Sequence, residues 1–132
     1  MQRTSWLVLG LLLLLPGCGG GNSALNPQFQ PQVTNAVDNF QFQSTGVTNV
    51  NESLTYTWQN TGIVANIDQA TTVTGGTAIL ALKDAAGTQV YSAGLQNNGS
   101  FQSATGQAGN WTVLVTLQGY GGTINFRVQK RP

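Results

Sequence analysis

The 132-residue chain has no histidine, one cysteine and only 9 charged residues, five Lys or Arg against four Asp or Glu. Each scarcity closes off a class of chemistry. Without His there is no Ser-His-Asp or Cys-His arrangement and no imidazole metal ligand. A lone Cys18 excludes an internal disulfide framework and any Cys-rich metal site. Charged residues make up 7% of the chain, against roughly 25% in an average protein. Five cations in all make no basic stripe for nucleic acid, and four carboxylates make no acidic tail.

In place of ions there are 7 Ser, 16 Thr, 12 Asn and 14 Gln, so the polar surface is made of hydroxyls and amides. The carboxylates are Asp38, Glu52, Asp68 and Asp84. A glycosidase would need two of them on opposite sides of a cleft. Their positions at turns and strand ends instead suit capping and solubility, so no enzyme and no cofactor is expected. Asp38 or Asp68 with backbone carbonyls is the one route to a calcium site, but no D-x-D cluster supports it and no metal is assigned.

The N-terminus specifies a compartment. Met1-Gln2-Arg3 supplies a positive start, and Trp6 to Leu15 is an apolar run of ten residues, half the roughly 20 needed to span a bilayer as a helix. A charged start, an apolar centre and a small-residue end read as a cleavable secretory signal. At Leu15-Pro16-Gly17-Cys18 it resembles the lipobox of bacterial lipoproteins. That resemblance implies cleavage between Gly17 and Cys18, a diacylglycerol thioether on Cys18 and usually a third, amide-linked chain. It also implies transfer to the outer membrane, because Gly19 and not Asp follows the Cys. Residues 1–17 are thus read as signal peptide and the membrane lipid as the first partner. One acyl chain holds only marginally, but several together do not let go.

Gly19-Gly20-Gly21-Asn22-Ser23 and the Pro- and Gln-containing stretch after it show no hydrophobic period. Residues 18–36 therefore read as a lipidated Cys and flexible tether, with a coil span of roughly 25 Å. From Val37 the pattern becomes short alternating runs. Asn39 to Gln43, Leu54 to Gln59, Ile63 to Asp68, Thr77 to Lys83, Gln89 to Ala93, Ser100 to Thr105, Asn110 to Leu117 and Thr123 to Gln129 are expected strands. Asp84 to Gly87 has type I turn chemistry, Asn98-Gly99 signals a two-residue hairpin, and Gln118 to Gly122 separates a closing hairpin. The fold class expected over 37–132 is all-β: a single antiparallel β-sandwich or jelly roll of about eight strands.

The run Ala78 to Val90, followed by Gly109-Asn110-Trp111-Thr112-Val113 and Gly122-Thr123-Ile124-Asn125-Phe126, resembles secreted β-sandwich modules of the pre-peptidase C-terminal type. That resemblance implies an accessory role beside another activity. Trp58 and Trp111 fall in phase with inward residues and read as core, the alternative being a sugar-binding platform. Tyr91 and Tyr120 are the candidate ligand contacts, Tyr120 in a Gly-rich loop and Tyr91 out of phase with Val90. Arg127, Lys130 and Arg131 cluster at the C-terminus, as candidates for contact with anionic headgroups or cell-wall polymer.

The function expected from these features is a lipid-anchored cell-envelope protein with a non-catalytic interaction or structural role. The alternatives are a carbohydrate-binding accessory module and then a hydrolase. Partners beyond lipid are an envelope protein or polysaccharide, and near-zero net charge with thinly charged strand edges adds weak self-association.

Overall fold

A computed structural model describes residues 22–132. The expected signal peptide over residues 1–17 and the expected lipidation site, Cys18, lie outside the described residues. The domain is all-β and antiparallel, a sandwich of seven strands: β1 (Gln32–Ala36), β2 (Asn39–Asn60), β3 (Ala65–Gln69), β4 (Gly75–Lys83), β5 (Gln89–Gly94), β6 (Gly99–Gln102) and β7 (Gly109–Lys130).

Two of these strands are 22 residues long, and they organise the rest. β2 and β7 pair from Asn39↔Gln129 to Asn60↔Gly109, with register shifts between Ser44 and Glu52. Bulges sharpen local twist and bend a strand, and here they carry both strands from one layer into the other. The first half of β2 and the second half of β7 form a five-stranded layer in the order β1-β2-β7-β3-β6. Their other halves form a four-stranded layer with β4 and β5.

Period-2 alternation puts one face of each layer inside. Phe40 and Phe42 from the first half of β2 meet Tyr56 from its second half at centroid distances of 5.2 and 6.2 Å, so the strand packs against itself across the core. Phe126 stacks on Phe42 at 5.7 Å. Trp58 and Trp111 are register partners in the four-stranded layer, edge to face at 6.0 Å and fully buried. Their indole N–H groups donate to the carbonyls of Ala36 (3.0 Å) and Gln107 (2.7 Å), so burial leaves neither donor unpaired.

Four expectations are corrected. First, the tether does not extend to residue 36. Ala24 and Phe29 are buried, Pro27–Phe29 is a 3₁₀ turn, and Gln32–Ala36 is an edge strand on β2. All five β1 residues are exposed, so the strand shows no alternation by which sequence could find it.

Second, Gln118 to Gly122 is not a hairpin loop but the bend inside β7. Gly122 has φ 138, and a Cβ there would overlap the Thr72 carbonyl. The glycine serves close backbone approach rather than chain reversal. Third, residues 44–53 continue β2 rather than separating two strands, so the mergers in β2 and β7 remove two of the eight expected strands and β1 adds one, leaving seven. Fourth, Asn98-Gly99 closes no hairpin, because β5 pairs with β4 whereas β6 pairs with β3. The connection crosses between layers, with Leu95 buried and the Gln69 side-chain amide donating to the carbonyls of Gly94, Leu95 and Asn97. By contrast, the Asp84 turn forms as expected, with Gly87 N–H donating to the Asp84 carbonyl at 3.0 Å.

Truncating either indole removes a fully buried side chain from the core. Trp58→Ala and Trp111→Ala are each expected to lower stability by about 3–5 kcal/mol. Urea unfolding followed by circular dichroism checks this, and variants as stable as the parent would remove both indoles from the core.

Candidate functional site

The outward face of the five-stranded layer is the most organised polar surface among the described residues. Strand alternation with Phe40, Phe42, Ile67, Phe126 and Val128 turned inward leaves their neighbours facing out. Inter-strand register then aligns those neighbours in three rows across the sheet. One row is Gln32, Gln43 and Asn125; the next is Thr34, Gln41, Arg127, Asp68 and Ser100; the third is Asn39, Gln129, Asn66 and Gln102.

A depression of about 450 Å³ crosses the face from Gln32 on β1 to Ser100 on β6. A second hollow of about 510 Å³, lined by Asn66, Gln102, Gln129 and Phe101, shares Asp68 and Ser100 with it.

Three residues of the middle row are bonded to one another. Arg127 Nη2 donates to Asp68 Oδ2 at 3.0 Å, and Ser100 Oγ donates to Asp68 Oδ1 at 2.6 Å. The Ser100 hydroxyl first, and the Arg127 guanidinium second, hold the Asp68 carboxyl below its ordinary range. In the third row the side-chain oxygens of Asn39 and Asn66 are buried and have no hydrogen-bond partner, on either side of Gln129.

The residues singled out from sequence fall elsewhere or fall apart. Tyr120 is fully buried in the β7 bend, and its hydroxyl donates to the Thr72 carbonyl at 2.7 Å. It is therefore not a surface contact, and burial pushes the phenol up to about 12. Tyr91 is half-buried. A bulge at Leu82/Lys83 puts it in register with the inward Leu82, and its hydroxyl donates to Gln69 Oε1 at 2.8 Å. Both tyrosines brace the two layers.

Arg127 is engaged by Asp68 on the outer face. Lys130 and Arg131 lie at the strand end, beside the Asp38 turn and Val64. The three cations do not gather into one patch.

Asp38 Oδ1 and Oδ2 accept from the Thr61 N–H and hydroxyl, both at 2.8 Å, tying the β1–β2 turn to the loop after β2. Asp84 accepts from the N–H groups of Gln107, Thr88 and Ala86. Among the described residues no three His, Cys, Asp or Glu side chains converge for a metal.

Glu52 falls two residues before the strand expected over Leu54 to Gln59. It lies within β2, where its carboxylate accepts from Ser23 Oγ at 3.0 Å and Ala24 N–H at 2.7 Å. Ser44 Oγ donates to the Ala24 carbonyl at 2.6 Å. Together they clamp Ser23 and Ala24 to the β2 bend. Only long-range pairing brings these residues together, and no local motif announces it.

In comparisons with known proteins, no family model and no curated protein matches this chain.

The shifted groups set the pH range of stability. Backbone N–H donation from Gln107 and then Thr88 holds Asp84 below 3.8, and the Thr61 N–H does the same for Asp38. A depressed carboxyl stabilises the fold above its unfolded value and loses that contribution as pH falls through the folded value. Thermal stability is therefore expected to fall below about pH 4, less steeply in Asp84→Asn. Tyr120 has the opposite sign: the unfolded chain releases the phenolic proton first, so stability falls between about pH 10 and 12, less steeply in Tyr120→Phe. Melting curves across both ranges check each limb.

Proposed function

We propose that this chain is a lipid-anchored cell-envelope protein, acylated on Cys18 at the outer membrane, that works by binding rather than by catalysis. The observation that carries this reading is the seating of Asn22, Ser23 and Ala24 on the β2 bend. Only Gly19, Gly20 and Gly21 separate Asn22 from Cys18. Four residues of chain reach at most about 14 Å. A domain joined to its lipid by so short a link would sit with its bend end against the headgroups.

The opposite end carries Asp38, Thr61, Lys130 and Arg131, eight strand residues beyond Glu52 along β2, or roughly 27 Å. That exceeds a Debye length of about 8 Å, so Lys130 and Arg131 would point away from the bilayer. The non-catalytic part of the proposal is supported by the engagement of Asp38, Glu52, Asp68 and Asp84 in bonds that tie loops and strands together. A carbohydrate-binding accessory role is the second reading, favoured by the amide rows on the five-stranded layer.

Expressed in a diderm bacterium, the parent is expected to incorporate labelled palmitate and fractionate with the outer membrane, whereas Cys18→Ala takes up no label. Charge reversal at Lys130 and Arg131 should leave the fractionation unchanged. Label on Cys18→Ala would overturn the anchor, and release by the charge reversals would overturn the orientation.

A further inference from the structure

We infer that the outer face of the five-stranded layer binds a neutral, extended polysaccharide laid across the strands along the amide rows. This deepens the reading of the chain as a binding protein and rests on it. A neutral glycan presents hydroxyls, each both donor and acceptor, and a primary amide is the one side chain that offers both functions on adjacent atoms. The face supplies Gln32, Gln41, Gln43, Asn125 and Gln129 in register, with Gln102 at the β6 edge.

The amides are not simply what the composition scatters everywhere. The corresponding rows on the outer face of the four-stranded layer carry Thr55, Thr57, Thr112, Leu114, Thr116 and Ile79 at their centre, with Lys83 beside Thr112 and the amides Gln59, Asn110 and Gln118 only at the two ends. Amides thus run through the rows of one face, whereas hydroxyl and aliphatic groups fill the centre of the other. Solubility alone would not separate them.

Charge narrows the ligand. The face holds one cation and one anion, Arg127 and Asp68, bonded to each other at 3.0 Å. A polyanion finds no uncompensated positive charge there, and a polycation finds no free carboxylate. A neutral chain loses nothing by their pairing.

Size and shape agree. Five strands spaced about 4.8 Å apart give a row roughly 19 Å long, enough for several pyranose rings. Phe101 adds no stacking platform there, because its register with the inward Ile67 sets its ring beside Tyr91 at 6.4 Å. With no aromatic platform in the middle of the face, single-site binding is weak. Many copies held on one membrane would convert it to avidity along a polymer.

The test uses the full chain purified in detergent micelles and electrophoresed through gels containing β-1,3-glucan, galactomannan, arabinoxylan or dextran, with polygalacturonate as the charged comparison. The expected result is retardation by at least one neutral polymer and none by polygalacturonate. Gln41→Ala/Gln43→Ala should weaken that retardation about tenfold through loss of two hydrogen-bonding amides. Asn125→Ala, a milder change that leaves β2 intact, should weaken it in the same direction, and Thr57→Ala on the other layer should leave it unchanged.

Retardation by none of the four neutral polymers, retardation by polygalacturonate alone, or equal retardation of parent and face variants each overturns the site. Labelling of Cys18 is read separately. An acylated chain that no neutral glycan retards keeps the anchor and loses the site, whereas an unlabelled chain that is retarded keeps the site and loses the anchor.

Discussion

Everything in this fold depends on the β2–β7 ladder. Two 22-residue strands, paired almost throughout, bend together and so belong to both layers at once. β1 and β3 attach to one half of the ladder, β4 attaches to the other, and β5 and β6 attach to those. Because a single strand supplies both Phe40 and Tyr56, the two layers are joined covalently at the bend. This lets about 110 residues close a core without a disulfide, at a size where a domain buries roughly 60–70% of its unfolded surface.

The same bend decides where the remaining features fall. It gathers Ser44 and Glu52, which receive Ser23 and Ala24, and so brings the N-terminal segment to one end of the sandwich. The amide face then stands along the side of the molecule, its rows perpendicular to the strands. If the strands rise from a membrane, those rows lie parallel to it, the direction in which a surface polymer would run. On the proposed lipid attachment, the N-terminal link and the polar face are related by geometry, although they share no residue.

The all-β class, the inward phase of Trp58, Trp111, Val113 and Val115, and the Asp84 turn were all legible in the sequence, because each depends on local alternation or local turn chemistry. What was not legible involves glycine, edges or distance. Gly119, Gly121 and Gly122 look like a loop, since the pattern does not distinguish a glycine that reverses the chain from one that lets Thr72 approach. β1 carries no buried residue, so it has no pattern to read. Tyr120 was misjudged for the same reason as its glycines, because a bend inside a strand buries what a loop would expose. The amide rows were invisible because each row draws one residue from each of several strands, and only the register assembles them.

The account is tested most directly by native-state hydrogen exchange across the β2–β7 ladder. If the ladder is one continuous cooperative element, amides in residues 39–44 and 124–129 should open with the same free energy as those in 52–60 and 110–117. That common value should equal the global unfolding free energy. Two distinct opening energies, one for each layer, would show the halves to be separate hairpins joined by loops, and would contradict the bent-strand architecture from which the rest is derived.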